Sequence, residues 1–196
     1  MKVTFQNEPI MREQLEGYGL ELEEKILLAP AFKKYKADEF EAYADALKVI
    51  STPATEQQRP DVEGLRFRAN LKVKRYSVAT SLLKAVVEAH TSSANDLNNM
   101  CWPVYEEATK ADSSVPQPLT AAALAGAERA AKLEPKESFI LDTLAHLVSL
   151  TAEFDRAMAI ETQAGENMSD EESQGPFRKS LKALEGKRAA ASPKDK

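Results

Sequence analysis

Residues 123–164 read ALAGAERAAKLEPKESFILDTLAHLVSLTAEFDRAMAIETQA, and this stretch decides the fold class. It contains two sets of residues with the spacing i, i+4, i+7. The first set is Ala123, Ala127 and Ala130, and the second set, 34 residues later, is Ala157, Glu161 and Ala164. Residues at this spacing share one face of an α-helix, and small side chains let paired helices approach closely. A period of 34 residues predicts stacked helix pairs.

The preceding helix pair shows the same pattern at a longer offset of 44 residues. Two independent sets share this offset: Leu97, Met100 and Cys101 precede Leu141, Leu144 and Ala145, and Ala79, Leu83 and Val86 precede Ala123, Ala127 and Ala130. The excess of ten residues predicts an insertion between the two helices of the middle pair. Residues 109–118, with their serines and prolines, have the composition of such a loop.

The whole chain is predicted to be all-α, because no alternating β pattern occurs and glycine is rare, with 7 in 196 residues. We expect a TPR-like antiparallel helix-pair solenoid with extra N-terminal helices and a C-terminal capping helix. The expected segments are an N-terminal helical segment at 1–52, helical repeats at 61–165, a capping helix at 176–187 and a disordered tail at 188–196.

Residues 95–164 resemble the tetratricopeptide-like helical region of some bacterial thioredoxin-like proteins. The resemblance rests on three stretches: LNNMCW at 97–102, LDTLA at 141–145, and EFDRA at 153–157 continuing to Gln163 and Ala164. It implies the helical scaffold and its habit of binding partners, while the redox chemistry has no counterpart, since Cys101 is the single cysteine. Ala152 stands where such regions have glycine, which indicates a turn without a positive φ.

The composition of the chain argues against several classes of protein. The formal net charge is −5, there are two histidines far apart in sequence, and no ligand spacing indicates a metal site or another cofactor. No apolar run is long enough for a signal peptide or a membrane span. We therefore expect a cytoplasmic protein with no membrane partner, unless a targeting segment preceded Met1. The composition does not set the oligomeric state.

The outward side of each first helix is the predicted partner-binding groove. Its candidate residues are Asn95, Asn98, Asn99, Trp102, Tyr105, Asp142 and His146, and Phe139, Thr143 and Ser149 are expected to face outward beside them. Asparagine amides can bind a partner's backbone, and tryptophan and tyrosine are favoured interface anchors. In the alternative interpretation, Trp102 simply packs against a neighbouring helix pair.

Asp142 and His146 stand at i, i+4 on one helix face. The carboxylate could poise the histidine as a base, but no nucleophile accompanies the pair, so a structural role is favoured over catalysis and no catalytic residue is assigned.

A basic run forms a second candidate surface, made of Arg66, Arg68, Lys72, Lys74 and Arg75. Its charges spread over more than one helix face, and the chain as a whole is acidic, which disfavours nucleic acid as a partner.

The sequence thus predicts a non-catalytic scaffold that binds a protein or an extended peptide. Three alternatives stay open: an accessory domain of a thioredoxin-like redox protein, an enzyme that uses the Asp142–His146 pair, and, as the weakest, self-assembly through the apolar N-terminal helices.

Overall fold

The structure is a computed structural model that describes residues 44–45, 59–89 and 93–191. Within these ranges all regular structure is helical, which confirms the all-α prediction. The helices of ranges 59–89 and 93–191 are α1 (Arg59–Lys72), α2 (Tyr76–Glu88), α3 (Ala94–Ala108), α4 (Gln117–Leu133), α5 (Ser138–Ser149), α6 (Phe154–Glu166) and α7 (Gly175–Ala191). The predicted N-terminal segment at 1–52 lies outside the described residues, apart from a helical Ala44 and Asp45.

The chain divides into two compact units, one ending at Leu82 and one beginning at Leu83. In the first unit, α1 and the start of α2 bury Phe67, Leu71 and Ala79. The turn between the two helices places Lys74 at φ 58, in the left-handed region.

In the second unit each helix packs on the next: α3 on α4, α4 on α5, α5 on α6 and α6 on α7, with an additional contact between α3 and α5. All of the repeat positions named above are buried, from Ala79 to Ala164. The offsets of 34 and 44 residues therefore marked the core correctly, because residues at i, i+4 and i+7 turn the same helix face inward.

Local side-chain chemistry determines where α3 and α4 begin. Ser93 and Asp96 form a reciprocal capping box at the start of α3, in which the Ser93 hydroxyl accepts from the Asp96 N–H at 3.1 Å. Pro116 caps α4, so this helix begins at Gln117 and the insertion loop ends two residues earlier than the predicted 118. Pro118 is tolerated in the first turn, because a backbone N–H at this position would have no hydrogen-bond partner within the helix.

Two expectations need correction, one at the end of α7 and one in the turn between α5 and α6. Residues 188–191, predicted as disordered, continue α7, since an arginine followed by three alanines favours helix. Residues 192–196 lie outside the described part. Ala152, expected in a turn of negative φ, has φ 62. The short connection from α5 to α6 closes with hydrogen bonds from Thr151 N–H and Ala152 N–H to Val148 and Ser149 carbonyls, and this closure requires the left-handed residue.

None of the described helices is long and apolar enough to cross a membrane.

Candidate functional site

Three rings from α3 and α5 meet on one side of the second unit. The His146 ring lies 5.4 Å from the Trp102 ring and 4.7 Å from the Tyr105 ring, edge-on in both cases, and Trp102 and Tyr105 are 5.3 Å apart. All three side chains are half-buried. Such edge-to-face contacts hold the imidazole in place from two directions. We call Trp102, Tyr105 and His146 the aromatic cluster.

Asp142 holds the same imidazole from one helical turn earlier. His146 Nδ1 lies 2.9 Å from the Asp142 backbone carbonyl oxygen and 3.4 Å from the Asp142 carboxylate oxygen Oδ1. When Nδ1–H donates to that carbonyl, Nε2 carries the lone pair of the neutral ring. The predicted i, i+4 relation thus becomes a fixed contact between two half-buried side chains.

Glu161 of α6 is the third polar group here, and sequence spacing did not assign it to a site. It is fully buried, and neither carboxylate oxygen has a well-formed hydrogen bond, although the Asp142 carboxylate and the Ser180 hydroxyl lie beside it. Burial, with the nearby charge of Asp142 as a smaller cause, raises the pKa of Glu161 to about 8. Its position in the repeat was visible in the sequence, but its approach to Asp142 and His146 was not.

The α7 helix closes the site from the other side. Ser180 stands beside Glu161, and the Lys187 ammonium lies 3.4 Å from the Tyr105 hydroxyl and 5.6 Å from the centre of the Tyr105 ring. The next residue, Arg188, forms an ion pair with Asp155 at 2.7 Å. Four helices, α3, α5, α6 and α7, therefore contribute side chains to one region.

The predicted groove residues of α3 divide by exposure. Asn95 and Asn99 are exposed one turn apart, whereas Asn98 is half-buried and its Oδ1 is buried without a hydrogen-bond partner. Pro103 lies inside α3, and because proline has no N–H it gives no helical hydrogen bond to the Asn99 carbonyl. This stretch thus combines two exposed side-chain amides with a backbone carbonyl, that of Asn99, which receives no hydrogen bond from residue 103.

On α5 the prediction of outward-facing residues was wrong at two positions. Thr143 and Ser149 are buried, and their hydroxyls donate to the carbonyls of Phe139 and His146 in their own helix. The α5 helix packs against α3, α4 and α6, so little of it reaches solvent. Phe139 does face outward, with 61% of its surface exposed, and its ring lies 6.1 Å from that of Phe177.

The predicted basic run is partly neutralised. Arg66 forms an ion pair with Glu63 at 2.8 Å, and Arg75 forms one with Asp45 at 2.7 Å. Arg68, Lys72 and Lys74 are exposed. Exposed basic side chains and ion pairs of this kind are typical of an ordinary charged surface.

The structure also contains a groove that the sequence did not indicate. It has a volume of about 440 Å³, is open to solvent, and is lined by residues of α4, α5 and α6 together with Pro135. Its floor includes Leu141 and Leu144, and the ion pair between Arg156 and Glu128, at 2.5 Å, lies on its wall. Its lining comes from three helices, so no local pattern could have predicted it.

Cys101 is fully buried in the core beside Gly126. Burial raises the pKa of its thiol to about 12, so the thiol stays protonated at neutral pH and is inert.

Comparison with known proteins gave no relative: no protein-family model, no curated protein and no solved structure matches this chain.

Proposed function

We propose that this chain is a non-catalytic, TPR-like helical-repeat scaffold that binds an extended peptide or a peptide segment of a protein partner. Support for the repeat comes from the order of contacts, in which each helix from α3 to α7 packs on the next and the first helices of two pairs, α3 and α5, also touch. Stacks of helix pairs present the sides of their first helices as extended binding surfaces.

The observation that carries the proposal is the exposed side of α3. Asn95 and Asn99 present free amides one turn apart, and the half-buried Trp102 stands next to them. An amide offers both a donor and an acceptor, so it can bind the backbone of an extended peptide whatever its side chains. Trp102, held by Tyr105 and His146, supplies a rigid anchor of the kind that dominates binding energy.

The redox and enzyme alternatives have less support. An accessory domain of a redox protein would act beside a separate thioredoxin-like domain, because the buried Cys101, with its raised thiol pKa, supplies no redox group of its own. An enzyme built on Asp142 and His146 would need a nucleophile or a substrate pocket beside them. Among the described residues, the groove of 440 Å³ includes neither Asp142 nor His146 in its lining.

The test is selection of peptides from a random phage-displayed library on the folded protein, followed by calorimetric titration of an enriched peptide. We expect Asn99→Ala and Trp102→Ala to weaken its binding at least about tenfold each, since each removes a central contact. Far-ultraviolet circular dichroism checks that both variants remain helical.

Lys132→Ala is the matched control, because Lys132 is exposed and lines the other groove, between α4 and α6. It should leave the peptide affinity unchanged. Loss of binding in Lys132→Ala with retention in Asn99→Ala would move the site to that groove and reject the α3 surface.

A further inference from the structure

The donor atoms of three residues converge below the aromatic cluster. One carboxylate oxygen of Asp142, a ring nitrogen of His146 and one carboxylate oxygen of Glu161 all lie within 4.8 Å of one another. His146 Nδ1 and Asp142 Oδ1 are 3.4 Å apart, which is the spacing of two ligands of one tetrahedral ion at ligand distances of about 2.1 Å. Nδ1 offers its lone pair to an ion only when the ring proton is on Nε2, so metal binding replaces the contact of Nδ1 with the Asp142 carbonyl. For Glu161 to bind the same ion, its carboxylate oxygen, now within 4.8 Å of the other two donors, must rotate to this spacing.

The state of Glu161 is the second, independent observation. Its side chain is fully buried, and neither carboxylate oxygen has a well-formed hydrogen bond, although the Asp142 carboxylate and the Ser180 hydroxyl lie beside it. No ion pair to Glu161 occurs among the described residues. An unpaired buried carboxylate is costly, and proteins keep one where it binds a cation or performs a function. Glu161 is directed at the Asp142–His146 pair, since the Asp142 carboxylate is its nearest charged neighbour.

The internal repeat shows that packing does not require a carboxylate at this position. The residues that occupy the same place in the two earlier helices are Leu83 in α2 and Ala127 in α4, and both are buried. An apolar side chain therefore satisfies the core there. In the same register, Asn98 and Trp102 occupy the places of Asp142 and His146, so all three donors are confined to the α5–α6 pair.

We propose that Asp142, His146 and Glu161 bind one divalent transition-metal cation of the Zn²⁺ type. One imidazole nitrogen and two carboxylate oxygens are a donor set that such ions accept, and three protein ligands leave a further coordination position for water or a ligand from a partner. Two carboxylates and a neutral imidazole balance the charge of the ion. This inference does not depend on the peptide-binding proposal, because it concerns different atoms and a different ligand.

The surroundings suit a bound ion. Trp102 and Tyr105 flank the imidazole and limit its rotation, which keeps the ring oriented for coordination. Ser180 stands next to Glu161 and is placed to donate a hydrogen bond to a metal-bound carboxylate.

The experiment is isothermal titration of the full chain with Zn²⁺ at neutral pH, after removal of metal with a chelator. The wild type should bind one equivalent, and added Zn²⁺ should raise its melting temperature, because an ion that binds only the folded state stabilises it. Glu161→Gln and Glu161→Leu should both reduce the affinity by about 100-fold or more, and neither should show the rise in melting temperature. Leucine is the residue found at the equivalent position in α2, so this variant is expected to fold.

Glu166→Gln is the control, because Glu166 is exposed on the same helix, and it should bind Zn²⁺ like the wild type. His90 is unchanged in every variant, so binding through it would survive all three substitutions. If the wild type binds no Zn²⁺, or if the two Glu161 variants bind it as tightly as Glu166→Gln, the proposal is wrong and Glu161 is a buried neutral acid. Neither result would alter the peptide titration, which is carried out in chelator.

Discussion

The α3–α4 and α5–α6 helix pairs carry different side chains at positions that match through the sequence offsets. At the three matched positions the first pair has Asn98, Trp102 and Ala127, whereas the second has Asp142, His146 and Glu161. These positions correspond through the 44-residue offset of the first helices and the 34-residue offset of the second helices. One pair presents amides and an indole, and the other presents groups that carry charge. A repeated scaffold can thus place different chemistry at equivalent positions.

The largest expected effect comes from placing the second pair's carboxylate in the first pair. Ala127→Glu would bury a carboxyl group where Asn98 and Trp102 offer no compensating charge, and it would also overfill a tightly packed position. We expect a loss of about 3 kcal/mol or more of unfolding free energy in urea denaturation. Ala125→Glu, at an exposed position of the same helix, should change it by less than about 0.5 kcal/mol. Equal stability of the two variants would mean that the α4 position tolerates a carboxylate.

The reverse exchange should stabilise the protein in the absence of metal. Glu161→Leu replaces an unpaired buried carboxylate by the apolar residue of α2, and we expect a gain of about 2 kcal/mol when unfolding is measured with a chelator present. The exposed Glu166→Leu should have little effect. A loss of stability in Glu161→Leu would show that Glu161 makes a contribution to packing that leucine cannot replace.

The close contact between α3 and α4 gives the next effect. A Cβ at Gly126 would lie 2.7 Å from the Cys101 sulfur and 3.2 Å from Val87 Cγ2. We expect Gly126→Ala to lower the melting temperature, with a cost of about 1–2 kcal/mol. Cys101→Ala introduces the residue of the equivalent α5 position, Ala145, and should remove most of this cost in the double variant.

Gly186 provides the comparison for that substitution. It lies in α7 with nothing within 4 Å of an added Cβ, so Gly186→Ala should stabilise the protein by up to about 1 kcal/mol through helix propensity. If Gly126→Ala proved as stable as Gly186→Ala, the result would contradict the close approach of α3 and α4.

The smallest effect concerns the connections within the two pairs. The α3–α4 pair is joined by residues 109–116, whereas α5 and α6 are joined by a turn in which Ala152 has φ 62. We expect Ala152→Gly to raise the unfolding free energy by about 1 kcal/mol, because it removes the steric cost of a left-handed alanine. Ala159→Gly, exposed in the middle of α6, should lower it by about 0.5–1 kcal/mol. A loss of stability in both would argue against the left-handed turn.

Much of the helical core was predictable because it depends on local spacing. The alanine sets and their offsets identified core positions from Ala79 to Ala164, and the composition of residues 109–118 located the insertion to within two residues. The prediction failed where the outcome depended on neighbouring helices. Thr143 and Ser149 have polar side chains on a helix that is covered from three sides, and their burial follows from those contacts.

The candidate site divides in the same way. The pairing of Asp142 with His146 follows from helical geometry, since residues four apart lie on one face. The contact of His146 with Trp102 and Tyr105 required α3 to pack on α5, and these residues are 44 and 41 positions apart in the chain.

By itself, the sequence determined that this protein is built from helices, which faces of those helices turn inward, and that it has one cysteine without a partner for a disulfide. These properties follow from the 3.6-residue period and from composition. Only the tertiary structure decided that Glu161 meets Asp142 and His146, that α7 brings Ser180 and Lys187 to the same region, and that Ala152 is left-handed. These properties arise from how separate helices pack and how the chain closes between them, and no local spacing of residues encodes that geometry.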